Sequence, residues 1–317
     1  MKVIYNPRYN MGLMGLEKFH PFDGKKFQRA WALLEKELGS DLTSFHVDVD
    51  RPLSDDELLS VHTSQHLQMM QQPSELAKAF EVREVALLPY AMINLGFLTP
   101  MRWAGRGSII AARQALQHGF AVNLGGGFHH AKPERAEGFC LFSDIALIVA
   151  ELRSDGTLTN DQRVAYIDLD AHLGNGVAHC FVSDSRLFHF DMFNESIYPT
   201  SDKVAIERVD CPIPVPIGCE GSQYLELLRS QLPRFLDSVT QTKDVGLVIY
   251  NAGTDVIAGD DLGLMSLTER DVLERDQFVY QETRQRHLPT VMLLSGGYTE
   301  ASHRLIANSV AWMCKAA

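Results

Sequence analysis

Cysteines are few in this sequence of 317 residues, and no two of them form a Cys-x-x-Cys pair. An odd number of scattered cysteines is neither a disulfide framework nor a cysteine zinc site. We therefore expect a reducing compartment and a cytoplasmic protein. The five cysteines are Cys140, Cys180, Cys211, Cys219 and Cys314.

Long apolar runs are also missing. No run approaches the roughly 20 residues that a membrane helix needs, so we expect no membrane span. Residues 1–8 (MKVIYNPR) lack the apolar core of a signal peptide, so we expect no leader. The sequence has no internal repeat, low-complexity tract or Ser/Gly-rich linker, which predicts a single domain over residues 1–317.

Basic residues are fewer than acidic ones. Lys and Arg number 29 against 40 Asp and Glu, which gives a formal net charge of −11. Because binding of nucleic acid needs a basic face, this balance argues against a nucleic-acid partner. It fits a cationic partner such as a lysine-rich peptide or a polyamine. Hydrophobic residues make up 45% of the chain, which is enough for a sizeable core.

Strand and helix patterns alternate along the chain, most regularly after residue 120. This alternation predicts an α/β fold with a mostly parallel sheet flanked by helices on both faces. Residues 85–106, which contain Pro89 and Pro100, are predicted to form a long irregular loop over the site. Strand patterns lie at 2–5, 44–49, 120–124, 163–169, 186–190, 245–250 and 289–294. Helix patterns lie at 25–38, from 57 onward, and at 67–80, 107–118, 142–152, 174–182, 222–239, 268–286 and 299–314.

The most informative stretch is the apolar run 164–167, which leads into Asp-Leu-Asp-Ala-His at 168–172. Such a run is typical of a buried parallel strand, and open α/β sheets place ligand sites at the carboxyl ends of their strands. Asp170 and His172 are two residues apart, so on an extended segment both side chains leave the same face. A carboxylate beside an imidazole is typical of a zinc or manganese site.

Three more polar clusters follow predicted strands. They are Gly-Gly-Gly-Phe-His-His at 125–130, Asn-Ala-Gly-Thr-Asp at 251–255 and Ser-Gly-Gly-Tyr at 295–298. The glycine run lacks the Gly-Lys-Ser/Thr ending of a phosphate loop, so we interpret it as a tight turn that presents His129 and His130. The working hypothesis is a metal centre built from the ends of several parallel strands.

Several residues in these clusters have an ordinary interpretation beside the functional one. Asp255 is either a third metal ligand or a helix-capping or turn residue. Tyr298 either aims its hydroxyl at a developing oxyanion or is a core aromatic residue. Asp168 is a natural orienting partner for one histidine of the pair. The other histidines, His189 among them, are interpreted as surface or core residues.

Together and in this order, the motifs resemble the zinc-dependent histone deacetylase family of the arginase–deacetylase fold, and most closely its class IV branch. Two further matches are Gly-Phe-Cys at 138–140 and Gly-Asp-Asp-Leu-Gly at 259–263. The likeness reaches the N-terminal region through Arg-Tyr-Asn at 8–10, Met-Gly-Leu-Glu-Lys at 14–18 and His-Pro-Phe-Asp at 20–23. It therefore covers nearly the whole chain.

The resemblance implies a lysine deacetylase or deacylase that hydrolyses the amide of N-ε-acyl-lysine. Its partner would be acylated lysine in a peptide or protein. One zinc ion on Asp170, His172 and Asp255 would polarise the amide carbonyl and lower the pKa of a bound water.

The resemblance also implies roles for the residues around the metal. His129 and His130 would be the general base and acid, and Tyr298 would hydrogen-bond the oxyanion. Asp168 and Asn175 would orient the two histidines from behind.

A substrate tunnel and a second ion follow from the same resemblance. Phe139 and Gly138 would line a narrow tunnel for the acyl-lysine stem, with Tyr198 and Leu262 as further wall residues. Family members also bind a structural potassium ion near the zinc. Here its ligands would be the main-chain oxygens of Asp168, Asp170 and His172 and the side chain of Asp191.

Asn175 departs from class I relatives, which have an aspartate at this position, beside His130. A neutral partner stabilises an imidazolium less, so which histidine is the base stays open. The class IV branch shares the asparagine. Members of that branch can favour long fatty-acyl groups over acetyl, so both acyl lengths stay open here.

Three other functions compete with this interpretation. The nearest is an amidohydrolase of the same fold that acts on acetylated polyamines or other small acylated amines. A two-manganese ureohydrolase is disfavoured because the positions for the second metal's carboxylates hold Gly174 and Ile257. A non-catalytic module that binds acyl-lysine is disfavoured because the ligands, the histidine pair and Tyr298 are all intact.

Overall fold

The computed structural model of the protein describes residues 1–12, 23–242 and 244–317. The motif at 14–18 and most of the motif at 20–23 therefore lie outside the described residues. Within the N-terminal region that is described, Pro7–Tyr9 forms a 3-10 turn. The side chain of Asn6 caps this turn by accepting a hydrogen bond from the backbone N–H of Arg8 at 2.8 Å.

Eight strands in the described part of the chain form one sheet, and every pair of neighbouring strands is parallel. The spatial order is β2-β1-β3-β8-β7-β4-β5-β6. Every residue of β7 is buried, and because successive side chains point to opposite faces, both faces of the sheet are covered. The predicted parallel sheet is confirmed. The strands are β1 (Lys2–Ile4), β2 (His46–Val47), β3 (Phe120–Asn123), β4 (Arg163–Asp168), β5 (Leu187–Asn194), β6 (Cys211–Val215), β7 (Val245–Asn251) and β8 (Thr290–Leu293).

Helices flank this sheet. The longer ones match the predicted helix patterns within about three residues, except that the helix predicted at 107–118 begins at Thr99. The longer helices are α1 (Lys26–Leu38), α7 (Thr99–His118), α8 (Asp144–Ser154), α11 (Gly221–Thr242), α12 (Glu269–Gln285) and α13 (Ser302–Ala316). The shorter ones are α2 (Leu42–Phe45), α3 (Asp55–Leu58), α4 (Ser64–Met69), α5 (Pro73–Ala79), α6 (Tyr90–Ile93), α9 (Asn175–Cys180) and α10 (Lys203–Arg208).

Two helix starts follow from local capping signals. Thr268 accepts a hydrogen bond from the Asp271 N–H at 3.2 Å, and the Asp271 carboxylate accepts one from the Thr268 N–H at 2.8 Å. This reciprocal capping box satisfies two backbone donors that have no partner inside the helix. Ser54 and Glu57 form the same arrangement at the start of α3. Both signals are readable in the sequence, and both helices begin where these signals place them.

The prediction that residues 85–106 form an irregular loop is wrong. The segment contains the last part of a 3-10 turn (Arg83–Leu87), then α6, a π-helical turn (Asn94–Leu98) and the first two turns of α7. Pro100 does not break α7 because it lies in the first turn, where a backbone N–H has no partner inside the helix.

Two strands also differ from the predicted pattern. β6 was not predicted because Pro212 and Pro214 interrupt it, and proline reads as a strand breaker. The strand lies at the end of the sheet, where the backbone N–H groups on its outer side need no partner strand. At the other edge, the strand predicted at 44–49 is only His46–Val47, because Leu42–Phe45 is helical.

The strand order brings the polar clusters together. β3, β8, β7 and β4 are consecutive neighbours in the sheet, and each of the four polar clusters follows one of them. In register, Asp168 at the end of β4 pairs with Asn251 at the end of β7, and Asn251 pairs with Leu293 of β8. All four clusters therefore lie at one edge of the sheet, as expected for a site at the carboxyl ends of parallel strands.

Candidate metal centre

Three buried side chains meet beyond the ends of β4 and β7. The Nδ1 atom of His172 lies 3.0 Å from Asp170 Oδ1 and 3.0 Å from Asp255 Oδ2. One atom from each side chain lies within 4.8 Å of the others, a spacing that could hold a metal ion. All three residues are buried. The structure thus brings together the three side chains that were predicted as metal ligands.

The charge balance of this trio suits a divalent cation. Burial and the negative charge of Asp170 raise the pKa of Asp255 to about 7. Burial alone would lower the pKa of His172, but hydrogen bonds to Asp170 and Asp255 raise it to about 10. Both pKa values rise because two carboxylates lie side by side in a buried environment. Two carboxylates and one imidazole are a donor set that zinc accepts, so the residues present fit zinc.

Two glycines allow the neighbouring loops to approach these ligands closely. A Cβ atom on Gly296 would lie 2.5 Å from Asp255 Oδ2 and 2.6 Å from Asp170 Oδ2. A Cβ atom on Gly253 would lie 2.3 Å from Asp170 Oδ2. The Gly296 N–H uses this closeness to donate a hydrogen bond to Asp170 Oδ2 at 2.8 Å. In the clusters that follow β7 and β8, contact with a metal ligand therefore requires glycine at positions 253 and 296.

The predicted histidine pair lies beside the trio, and its two rings have different partners. Their ring centroids are 4.0 Å apart. His129 Nδ1 lies 2.8 Å from Asp168 Oδ2, whereas His130 Nδ1 lies 2.7 Å from Asn175 Oδ1. The two partners predicted from the sequence, one carboxylate and one amide, are therefore both in contact with the pair.

The different partners separate the pKa values of the two rings. Burial would lower the pKa of His129, but the charges of Asp168 and Asp170 raise it above its ordinary value. Burial and the positive charge of His129 hold the pKa of His130 well below its ordinary value. Two adjacent imidazoles with separated pKa values can divide acid and base roles, the charged ring being His129 and the neutral one His130.

Tyr298 lies at the opposite side of the trio on a firmly held loop. Its ring is edge-on to that of His172, with centroids 6.3 Å apart. Its backbone N–H donates to Asp260 Oδ2 at 2.8 Å. Burial and the charges of Asp170 and Asp255 hold the pKa of Tyr298 well above its ordinary value, so the phenol stays protonated and can donate a hydrogen bond.

The loop before Tyr298 is held from the other side by a buried cation. Lys26, from the first turn of α1, has no exposed surface. Its ammonium group donates to the carbonyl oxygens of Ser295 at 2.8 Å and Gly296 at 3.0 Å. Burial lowers the pKa of Lys26 to about 8. The loop that carries Tyr298 is therefore fixed by a buried charge.

A pocket lined by the histidine pair and Tyr298 lies beside the trio. Gly138 and Phe139, both predicted as tunnel residues, are in its wall, and the Phe139 ring is edge-on to that of Tyr298 at 6.0 Å. The inner wall is apolar. It is formed by Met11, Phe27, Phe80, Phe97, Met101 and Phe128.

The other two predicted tunnel residues lie elsewhere. Tyr198 packs edge-on against the His130 ring at 5.0 Å, but it lines a separate, more open cavity with Asn175. Leu262 lies in the turn after Asp260, to which its N–H donates at 3.1 Å. It is not among the described residues that line the pocket.

Comparison with known proteins identifies the family. The family model for the histone deacetylase domain matches residues 20–314 of the chain. Over 314 residues the chain is 38% identical to histone deacetylase 2 of Arabidopsis thaliana, covering 98% of this chain and 78% of that protein. The chain belongs to the histone deacetylase family. It is thus a member of a family of deacetylases, which are hydrolases.

Other relatives of this histone deacetylase family member match only part of the chain. The chain is 33% identical to an uncharacterized protein of Picosynechococcus over 63% of each chain. It is 33% identical to histone deacetylase HDAC1 of Drosophila melanogaster over 61% of this chain and 36% of that protein. Among solved structures, the HD domain of HDA15 matches with a TM-score of 0.75 at 20% identity, covering 99% of this chain and 88% of that one. The predicted arginase–deacetylase fold is confirmed.

A second buried cluster lies next to the first in this member of the histone deacetylase family. Atoms of Asp168, His189 and Asp191 lie within 4.8 Å of one another, and none of the three residues is exposed. Among the described residues, Asp191 Oδ1 has no hydrogen-bond partner. Burial and the charge of Asp168 raise the pKa of Asp191 well above its ordinary value. An orphaned carboxylate oxygen fits a cation here, and Asp168 and Asp191 belong to the set predicted for potassium.

Sequence reasoning missed four residues that hold the centre. Tyr166 donates to Asp168 Oδ2 at 2.6 Å, and its position two residues before Asp168 on β4 is a readable signal. Asn251 donates to Asp168 Oδ1 at 3.0 Å. Lys26 and Asp260 hold the Tyr298 loop. Lys26 has no local signal because its partners are far away in the sequence, whereas Asp260 lies in the Gly-Asp-Asp-Leu-Gly motif and also accepts from the nearby Leu262 N–H.

Proposed function

We propose that this member of the histone deacetylase family is a zinc-dependent hydrolase that cleaves the amide of N-ε-acyl-lysine in peptides or proteins. One observation carries the proposal: the buried trio of Asp170, His172 and Asp255 lies against the histidine pair and Tyr298, which line an apolar pocket. The His172 ring centroid is 5.8 Å from that of His130 and 6.3 Å from that of Tyr298. A carboxylate–imidazole trio, a neutral imidazole and a protonated phenol are the groups that hydrolysis of an amide needs.

The proposed zinc ligands are Asp170, His172 and Asp255. When bound there, zinc would act as a Lewis acid toward the amide carbonyl and would lower the pKa of water. We also propose potassium at the second cluster, with the side chain of Asp191 and main-chain oxygens of Asp168, Asp170 and His172. The orphaned Asp191 oxygen supports this assignment.

His130 is the proposed general base. Its low pKa keeps the ring neutral, so its Nε2 can take a proton from the attacking water as the oxygen bonds to the amide carbon. His129 stays charged against Asp168 and favours the build-up of negative charge next to it. The hydroxyl of Tyr298 donates to the oxyanion. When the C–N bond breaks, His130 returns its proton to the departing lysine amine.

The apolar pocket supports acyl groups longer than acetyl. The wall of the pocket beside the histidine pair includes Phe27, Phe97 and Met101, which offer an acyl chain an apolar surface. Each methylene buried on such a wall adds about 0.8 kcal/mol. We therefore propose a deacylase that accepts medium or long chains. Members of the class IV branch, which shares the asparagine at position 175, can have this preference.

Charge, cysteine content and sheet topology support the remaining proposals, which concern the partner, the location and the domain organisation. The net charge of −11 supports a lysine-rich substrate rather than nucleic acid. Five free cysteines support a cytoplasmic location. Within the described ranges, no helix has both the length and the hydropathy to cross a membrane. Eight strands in one sheet support a single catalytic domain over residues 1–317.

Hydrolysis of a matched substrate panel tests the proposal. Zinc-loaded protein would be assayed with acetyl-, octanoyl- and myristoyl-lysine peptides beside acetylputrescine, with and without a chelator. We expect chelator-sensitive turnover of the peptides and preference for a longer acyl chain. Turnover of acetylputrescine alone would move the assignment to small acylated amines. Bound zinc without turnover of any substrate would favour a module that only binds acyl-lysine.

A further inference from the structure

The side chain of Asn175 joins His130 to two carboxylates. Asn175 is buried at the start of α9, with 1% of its surface exposed. Its Oδ1 lies 2.7 Å from His130 Nδ1. Its Nδ2 lies 3.3 Å from Glu137 Oε2 and 3.3 Å from Asp202 Oδ2. One end of the amide therefore faces the histidine, and the other faces two acidic side chains.

The two carboxylates decide which way the amide points. An ionised carboxylate only accepts hydrogen bonds, so the group that faces Glu137 and Asp202 must be the NH₂ of Asn175. The carbonyl oxygen of Asn175 must then face His130. Because that oxygen only accepts, His130 must carry its proton on Nδ1. A neutral imidazole has one ring proton, so Nε2 is left bare to accept a proton.

Cationic side chains pair with both carboxylates and hold them in place. The ammonium group of Lys132 lies 2.9 Å from Asp202 Oδ2 and 3.2 Å from Glu137 Oε2, and Lys132 is 6% exposed. Arg135 forms an ion pair with Glu137. Burial would raise the pKa of Asp202, but hydrogen bonds from Lys132 and His179 hold it well below its ordinary value. The Asp202 carboxylate therefore stays an acceptor near neutral pH, and ion pairs hold Glu137 beside it.

Glu137 is also linked to His130 through Tyr198. The Tyr198 hydroxyl donates to Glu137 Oε2 at 3.0 Å, and the Tyr198 ring packs edge-on against His130 at 5.0 Å. One carboxylate thus restrains both the hydrogen-bond partner of the His130 ring and an aromatic ring packed against it. Asp202 has a separate structural task, since it accepts from the Ala205 N–H at the start of α10.

We propose that Glu137 and Asp202 are positioning residues for His130, which lock the Asn175 amide and thereby hold the imidazole as the Nδ1–H tautomer. The catalytic part of this inference rests on the proposed function, but the tautomer does not. With both acceptors removed, the amide can rotate, offer its NH₂ to His130 and stabilise the unproductive Nε2–H form.

The tautomer is measured directly by NMR on zinc-loaded protein with ¹⁵N-labelled histidine. The His130 signals are assigned by their loss in His130→Gln. We expect one Nδ1–H form in the wild type and a mixture in Glu137→Met/Asp202→Leu, whose side chains are of similar size and have no acceptor oxygen. Glu134→Met is the matched control, because it removes an exposed carboxylate from the same loop. An unchanged tautomer in the double variant overturns the proposal. If the double variant fails to fold, Glu137→Met and Asp202→Leu are measured singly, and an unchanged tautomer in both overturns the proposal.

Kinetics in two backgrounds separate positioning from general stability. With Asn175 present, we expect Glu137→Met/Asp202→Leu to lower kcat on an acyl-lysine peptide about tenfold and to change KM less than twofold. In Asn175→Asp, which has no amide to orient, the same two substitutions should cause no loss. An equal loss in both backgrounds overturns the proposal. A wild type that turns over no acyl-lysine peptide refutes the proposed function instead, and the NMR result still stands.

Discussion

A single methyl group at Gly296 is expected to disrupt the metal centre. The Cβ atom of Gly296→Ala would lie 2.5 Å from Asp255 Oδ2 and 2.6 Å from Asp170 Oδ2, whereas ordinary contact begins at 3.4 Å. The loop or the two carboxylates must therefore move by about 0.9 Å. Because ligand distances in a metal site hold within about 0.2 Å, a shift of this size is several times what zinc coordination accepts.

The loop has little freedom to yield instead. The carbonyl oxygen of Gly296 accepts from Lys26 at 3.0 Å and from the Thr254 N–H at 3.1 Å, and its N–H donates to Asp170 at 2.8 Å. Moving the loop would loosen these bonds, which contribute about 1 kcal/mol each. We therefore expect the carboxylates to give way, at a cost of at least about 2.7 kcal/mol in zinc binding, which is a hundredfold rise in Kd.

Metal titration with a competing chelator measures this change, and thermal unfolding of the metal-free protein measures stability separately. The matched control is Gly218→Ala, which adds a methyl group where no atom lies within 4 Å but where φ is +73°. It should lose some stability from backbone strain and keep its zinc affinity. If Gly296→Ala binds zinc as tightly as the wild type, the close-contact reasoning is refuted.

Three further predictions concern other parts of the site. Tyr298→Phe should keep its fold and zinc and lower kcat about 10²- to 10³-fold, because it removes one donor to the oxyanion; an unchanged kcat would contradict that role. Met101→Trp should fill the inner pocket and lower kcat/KM for an octanoyl-lysine peptide at least about tenfold, with the acetyl-lysine value as internal control. Arg275→Met should lower the free energy of unfolding, measured in urea, by about 3–5 kcal/mol. The guanidinium of Arg275 lies 2.8 Å from the Asp276 carboxylate, and its loss leaves that buried charge without its cation. A loss below about 1 kcal/mol would count against this reasoning.

The parts of the fold that were predictable depend on local chemistry. Alternating apolar runs and caps such as Thr268 are written within a few residues of the element that they specify. The placement of His129, Asp255 and Tyr298 at one edge then followed from a general property of parallel sheets, without knowledge of the strand order. The resemblance to a family supplied the individual roles, which spacing alone left open for Asp255 and Tyr298.

The parts that were not predictable depend on distant partners. Lys26 looks like an ordinary exposed lysine of an amphipathic helix, and only the folded chain brings it to the carbonyl oxygens of a loop about 270 residues away. Segment 85–106 failed for a different reason. Its prolines suggested a loop, yet Pro100 lies where a helix tolerates proline, which depends on where the helix begins.

The pairing of Asp170 with His172 was predicted correctly, but for a different physical reason. We expected an extended strand, in which residues two apart share a face. In the structure β4 ends at Asp168, and the chain continues through two successive turns. Asp168 Oδ1 accepts from the Asp170 N–H at 3.2 Å, and Asp170 Oδ1 accepts from the His172 N–H at 3.0 Å.

Such turns, in which an aspartate side chain binds the backbone two residues ahead, repeat with the same period as a strand. The two-residue spacing of Asp168, Asp170 and His172 therefore continues beyond the end of β4. It also explains why the first aspartate, which is not in the trio, is needed there: Asp168 orders the backbone that presents Asp170 and binds His129 with its other oxygen. One carboxylate thus sets the geometry of the metal ligands and the charge of the neighbouring histidine.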